Sequence, residues 1–238
     1  MTNAILMASG LGTRMRPLTE TTPKPLIKVG NKPMIETVID GLKKADVSNI
    51  YVIVGYLGEQ FNYLTEKYEN LFIIKNPDYQ TINNISSVYY AREILKEDSA
   101  FICEADLFLS DKNIFIPKPE ESCYYGKFVE GYSEDWVFDL GNDGFITRVG
   151  KYGTDKYNMV GLSYFIKDDA SILSNCISEA YYKNGYENMF WDDVVNNNLD
   201  KLKLKIHPVS ETQIVEIDTV EELDKINLEV KNGSRKFS

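Results

Sequence analysis

Through residue 106 the chain alternates short apolar runs with segments whose apolar residues recur at helical spacing, and few folds accept that alternation. AILM at 4–7 reads as a buried strand running into a glycine turn. Pro33 sits where a first helical turn tolerates it, and Met34, Ile35, Val38, Ile39, Leu42 and Ala45 fall on one helical face. Residues 49–54 form a second strand, and the polar Gly58-Glu59-Gln60 leads into a helix reaching about residue 68. Residues 71–74 form a third strand, 86–96 a further helix, and 100–103 a fourth strand ending in Glu104-Ala-Asp106. Strands joined through helices pair in parallel, which predicts an α/β fold: a Rossmann-like, mainly parallel sheet flanked by helices on both faces. Ligands of such sheets bind at the carboxyl ends of the strands, where the glycine turn and Asp106 both fall.

From residue 120 the rhythm changes. Four short strands are predicted at 124–129, 136–140, 145–149 and 159–166, with Gly141-Asn142-Asp143-Gly144 as a hairpin turn, so the mainly parallel sheet carries a small β-rich insertion over 120–166. Helices follow at about 169–183 and 192–199, then strand-like runs at 202–209 and 214–217, and a last helix at 220–230. The expectation is one domain over 1–230, with the polar 231–238 a frayed tail or the start of a linker.

The formal net charge is -10, yet residues 1–32 carry Arg14, Arg16, Lys24, Lys28 and Lys32 against Glu20 alone. An acidic chain with one local basic stretch excludes a nucleic-acid or anionic-membrane surface, which needs a broad basic face, and fits a small anionic ligand held at one spot. Three widely spaced cysteines, Cys103, Cys123 and Cys176, indicate neither a disulfide framework nor a zinc site, and with no signal-like or spanning run the expected location is the cytoplasm, without membrane insertion.

The turn after the first strand offers backbone N–H groups to an anion. It is not a Rossmann fingerprint, because Gly10-x-Gly12 lacks the third glycine, nor a P-loop, because Gly-Lys-Ser/Thr is absent. Pro23-Lys24-Pro25 places a lysine in an extended segment. On spacing alone this is either a phosphate-binding turn or a glycine-rich turn with solvated cations.

The stretch GLGTRMRPLTETTPKPL, with Ala8 before it, resembles the motif G-x-G-[ST]-R-x-x-P-L-T-x-x-x-P-K-P-L of the nucleotidyltransferase superfamily that includes the sugar-1-phosphate nucleotidyltransferases. Gly55-Tyr56, Asn83-Asn84, Glu104-Ala-Asp106, Glu134-Asp-Trp136, Phe190-Trp191-Asp192 and Glu216-Ile-Asp218 resemble, in order and spacing, the bacterial phosphocholine cytidylyltransferases, over residues 3 to about 228. The resemblance implies a sheet of the nucleotide-diphospho-sugar transferase type. It implies a nucleotide held by Ala8, Gly10, Gly12, Thr13, Arg14, Lys24, Gly55, Tyr56, Asn83 and Glu104, with Lys24, Arg14, Asp106 and Asp218 catalytic. Magnesium (Mg2+) on Asp106 and Asp218 is the implied cofactor, suited to carboxylate, phosphate and water oxygens. Spacing alone does not pair these two aspartates; each taken singly is a common turn or cap residue.

The implied partners are CTP and a small phosphorylated amine, with a homodimer left open. Trp136 and Trp191 lie beside acidic residues, and aromatic faces with nearby carboxylates suit a quaternary ammonium. Together with Tyr132, Phe190, Asp192 and Glu130 they are the expected substrate contacts in the β-rich part and near it, favouring phosphocholine. Related enzymes acting on 2-aminoethylphosphonate show Glu-Gly-x-x-Lys; Glu130-Gly131 matches its start, but position 134 is Glu134. A cytidylyltransferase acting on 2-aminoethylphosphonate therefore stays open, and a sugar-1-phosphate enzyme and a non-catalytic nucleotide-binding module are the other readings. His207 is expected to be structural.

Overall fold

The computed structural model describes residues 1–235. In chain order the elements are β1 (Thr2–Ala8), β2 (Lys28–Val29), β3 (Lys32–Pro33), α1 (Met34–Lys44), β4 (Asn49–Val54), α2 (Tyr63–Lys67), β5 (Leu71–Lys75), α3 (Ile85–Ala91), α4 (Ile94–Glu97) and β6 (Ser99–Glu104). Then come β7 (Leu107–Leu109), β8 (Cys123–Leu140), β9 (Ile146–Phe165), α5 (Lys167–Ala180), α6 (Trp191–Asn196), β10 (Lys205–Pro208), β11 (Ile214–Glu216) and α7 (Val220–Lys231).

Among the described residues one seven-stranded sheet runs β10-β8-β9-β6-β1-β4-β5. β5, β4, β1 and β6 are mutually parallel, and β9 runs against both β6 and β8. Alternate side chains of each buried strand enter opposite cores. Ala4, Leu6 and Ala8 share one with Ile35, Val38, Ile39 and Leu42 of α1, while Ile5 shares the other with Ile85, Val88 and Ala91 of α3 and with residues of α5 and α6. This mixed, mainly parallel sheet with helices on both faces is the architecture that the alternation predicts.

The four short strands expected after residue 120 are parts of two long bent ones. Tyr124, Phe128 and Val129 of β8 pair with Ser163, Tyr157 and Lys156 of β9, and Trp136 to Leu140 pair with Lys151 to Ile146, with register shifts between the two stretches. Val137 and Phe138 also pair with Asn158 and Tyr157, so the hairpin folds back on itself. The expected turn at 141–144 closes it, through Gly141 N–H to the Phe145 carbonyl at 2.9 Å.

Other differences are local. The helix expected at 86–96 is two short ones, and the one at 58–68 opens with a 3-10 turn, Gly58–Phe61. The strand expected at 202–209 shrinks to β10, with Leu202 and Leu204 buried in the core instead. The tail is tied down as far as Arg235, whose guanidinium pairs with Glu229 at 2.9 Å and donates to Ser110 Oγ at 3.1 Å; residues 236–238 of that expected tail lie outside the described residues. No helix among the described residues is long and apolar enough to cross a membrane. A third apolar cluster, not foreseen, joins Met15, Ile27, Val29, Met34, Phe108, Ile217, Leu223 and Ile226.

Glu36 ties α1 to α2: buried at 3% exposure, it accepts hydrogen bonds from Tyr63 Oη (2.8 Å), Lys67 Nζ (2.5 Å) and Tyr68 Oη (3.1 Å). Burial alone raises a carboxyl pKa, but these donors outweigh it and hold Glu36 below its usual value of 4.5. A group depressed on folding contributes stability that is present above the unfolded pKa and lost as pH falls through the folded one. In urea denaturation, Glu36→Gln should cost about 1–3 kcal/mol at pH 7, and its deficit should shrink as pH is lowered below 4.5.

Candidate active site

The site lies where the sheet geometry places it, at the carboxyl ends of β1 and β6. Beyond β1 the chain reverses at Gly12, whose φ of 61° is left-handed and whose Cβ, if present, would lie 3.0 Å from both Lys24 Cβ and Thr19 Cγ2. No α-helix follows directly. Three 3-10 turns, Thr13–Met15, Leu18–Glu20 and Lys24–Leu26, intervene, so Lys24 opens a turn instead of lying extended between its prolines as the sequence predicts.

That turn drives the Lys24 ammonium between two carboxylates. Nζ is 2.7 Å from Asp106 Oδ2 and 2.7 Å from Asp218 Oδ1, and Arg14 Nη1 is 2.7 Å from Asp218 Oδ2. Lys24 is only 6% exposed. Burial opposes its charge, yet the two aspartates prevail and keep it well above the usual lysine range. Asp218 is itself fixed by Glu222, whose Oε2 accepts from the Asp218 and Thr219 backbone N–H groups at 2.7 and 3.0 Å in a capping box that starts α7.

Each aspartate has a glutamate two residues earlier on its strand. Loss of solvation in the cleft, followed by the charges of Asp218 and Asp106, pushes Glu216 up to about 7. Burial, with Asp106, Glu216 and Asp192 nearby, holds Glu104 well above the usual carboxylate range.

A cavity of about 380 Å³ opens over these groups. Its sides are the 8–14 loop, Lys24, the four acidic residues, and a wall from Asn76 to Ser87 that includes Tyr79, Ile82, Asn83 and Asn84. Of the residues expected around a nucleotide, Ala8, Gly10, Gly12, Thr13, Arg14, Lys24, Asn83 and Glu104 line it, as do Asp106 and Asp218. Gly55 and Tyr56 do not. Gly55 makes room for Tyr79, whose Cγ would lie 2.5 Å from a Cβ there, and Tyr56 Oη donates to the Thr19 carbonyl at 2.9 Å, bracing the loop from behind. Tyr79, Asn76, Ser86 and Ser87 carry no motif that marks them in sequence.

Met7 and Glu104 also line a second, inner chamber with Tyr124, Met159, Gly161, Leu162, Trp191 and Asp192. The chamber is far smaller than the cavity over the aspartates. Tyr124 Oη donates to Asp192 Oδ1 at 2.9 Å, and burial pushes Asp192 up to about 7. Gly161, at φ 73°, lets Glu104 approach: a Cβ there would meet Glu104 Oε2 at 2.8 Å.

The expected aromatic contacts divide. Trp191 is 3% exposed, its ring stacked 5.7 Å from Tyr124 and edge-on to Phe165 at 6.2 Å, so it packs as core and not as an open cation-binding face. The reason is helical: Trp191, Val194 and Val195 share the buried side of α6. Trp136 meets Phe190 edge to face at 5.3 Å. Tyr132 is 64% exposed and Glu130 is exposed beside it on the hairpin. His207 stacks at 4.5 Å on Tyr125, away from the cavity.

Residues 3–118 match the family model described as nucleotidyl transferase. Over 222 residues the chain is 55% identical to the 2-aminoethylphosphonate cytidylyltransferase of Lancefieldella rimae, covering 93% of this chain and 90% of that protein. It is 34% identical to the choline-phosphate cytidylyltransferase of Streptococcus pneumoniae, over 96% of this chain and 98% of that one. The solved structure of CTP:phosphocholine cytidylyltransferase from Streptococcus pneumoniae superposes with a TM-score of 0.88 at 33% identity, covering 95% of this chain and 98% of that chain.

Removing the Lys24 ammonium leaves Asp106 and Asp218 facing one another. Lys24→Met should therefore lower stability at pH 7 by about 1–3 kcal/mol. Chemical denaturation of the variant beside the parent protein at pH 7 checks this.

Proposed function

Because the chain belongs to the nucleotidyl transferase family, we propose that it is a cytidylyltransferase that moves CMP from CTP to 2-aminoethylphosphonate and releases pyrophosphate. The observation that carries the choice of acceptor is the pair of carboxylates, Glu104 and Asp192, that line the inner chamber. A primary ammonium donates hydrogen bonds to such carboxylates, whereas a trimethylammonium has no N–H to donate. The 55% identity to a relative of that specificity supports the same choice. The phosphocholine reading retains the Trp136–Phe190 pair, whose partly exposed rings suit a quaternary cation.

In this reading the larger cavity takes the nucleotide, with its phosphates on the glycine loop, Arg14 and Lys24. A phosphonate oxygen attacks the α-phosphorus, forming one O–P bond as the bond to the β-phosphate oxygen breaks, and the electron pair leaves with pyrophosphate. The acceptor is anionic at neutral pH and is already a nucleophile, so no general base is required. The protein's part is alignment and charge: Lys24, immobilised on Asp106 and Asp218, and Arg14, held by Asp218 alone, oppose the negative charge that gathers between donor and acceptor.

Asp106 and Asp218 already share a cation, the Lys24 ammonium, and their chemistry fits Mg2+, which completes its shell with phosphate and water oxygens. Among the described residues no group of three or more His, Cys, Asp or Glu side chains is arranged to hold a metal ion. When bound, that ion would neutralise α-phosphate charge and orient the reacting oxygens.

Pyrophosphate release with CTP should be at least about tenfold faster, in kcat/KM, for 2-aminoethylphosphonate than for phosphocholine; equal or reversed rates would transfer the assignment to phosphocholine. Chelation with EDTA should abolish turnover and added magnesium restore it. Asp106→Asn should lose about two orders of magnitude or more in kcat while the protein stays folded by circular dichroism.

A further inference from the structure

Outside the reacting groups, the most tightly organised cluster of polar side chains is centred on Asp78. Its Oδ2 accepts hydrogen bonds from Tyr90 Oη at 2.8 Å and Tyr181 Oη at 2.6 Å, one phenol in the last turn of α3 and the other capping α5. Partial burial, then the bond to Asp78, pushes Tyr90 up to about 12, and the same causes raise Tyr181 further, so both remain donors at any physiological pH. Tyr181 is fixed from behind. Its ring lies parallel to that of Tyr89 at 3.7 Å, and the Arg92 guanidinium covers the Tyr89 ring at 3.9 Å.

Asp78 stands at the base of the cavity wall. Its backbone N–H donates to Asn76 Oδ1 at 3.0 Å, and its carbonyl accepts from Thr81 and Ile82 N–H at 3.0 and 2.9 Å. Asn76 in turn donates to Ser86 Oγ at 2.8 Å. Beyond Tyr181, the chain returns to the same wall, where Glu187 and Asn188 carbonyls accept from Asn83 N–H and Nδ2 at 2.8 and 3.3 Å. Both ends of the 76–84 segment are thus tied to the region just after α5, and between them Tyr79 and Asn83 face the cavity.

We propose that Asp78, clasped by Tyr90 and Tyr181, is the positioning residue that holds Tyr79 and Asn83 in register against the nucleoside of the donor nucleotide. It touches no reacting group; it acts on affinity for the donor and on choice among pyrimidine nucleotides through the wall. The inference rests on the donor occupying the larger cavity, while the acceptor chamber, formed by β1, β6, β8, β9 and α6, lies outside the clasp.

The test is steady-state kinetics of Asp78→Asn and Tyr181→Phe with CTP and UTP, alongside CTP binding by calorimetry and thermal melting of each variant. Loss of a hydrogen bond to a charged group predicts a rise of about tenfold in KM for CTP, a matching loss in calorimetric affinity, a narrowed CTP/UTP preference, and kcat and acceptor KM within about twofold of the parent. Tyr181→Phe, which keeps the ring stack, guards against a folding defect in Asp78→Asn. Unchanged CTP affinity and selectivity in both folded variants would overturn the clasp, as would a loss confined to kcat. Failure of the parent protein to bind or turn over CTP would instead remove the nucleotide reading on which the clasp depends.

Discussion

One buried ammonium organises this molecule. Lys24 brings together a turn from the start of the chain, the end of β6 and the end of β11, which are far apart in sequence. A lysine at 6% exposure without partners would lose its proton or expel its loop. With Asp106 and Asp218 at 2.7 Å it does neither, and the same two contacts place both carboxylates beside the glycine loop. Stability and chemistry therefore draw on a single arrangement of charge.

That arrangement sits on an apolar footing. Met15, Ile27, Phe108 and Ile217 each follow, within three residues, one of Gly12, Lys24, Asp106 or Glu216, and all four pack in one cluster closed by Leu223 and Ile226 of α7. The large cores on either side of the sheet fix the strands; this smaller core fixes the loops at their ends. Polar side chains need such support, because a displacement of an ångström in a charged group costs orders of magnitude in rate.

The parallel sheet was legible because its strands are buried on both faces and read as unbroken apolar runs, with helical spacing between them. Long β8 and β9 were harder to read: the Gly131-Tyr132-Ser133 bend and the register shifts around it interrupt alternation, leaving four apparent strands. Arg14, Lys24, Asp106 and Asp218 were reachable through the motif they resemble, but the meeting of Lys24 with Asp218 spans 194 residues and follows no local rule. Tyr124 and Gly161, which shape the inner chamber, look like ordinary strand residues until the hairpin folds against β6. Trp191 was the opposite case. Its acidic neighbours drew attention to the ring as a ligand, while Val194 and Val195, three and four positions on, already marked it as the inward face of a helix.

The position of Asp218 has a consequence for the order of assembly during synthesis. Every strand of the seven-stranded sheet except β10 precedes residue 166, and domains condense from the N-terminal side as the chain leaves the ribosome. Until β11 and α7 arrive, the ammonium has one counter-ion in place of two, and the small core beneath it lacks Ile217, Leu223 and Ile226. A nascent chain with most of its sheet in place therefore still lacks Asp218 and part of the core beneath it until β11 and α7 emerge.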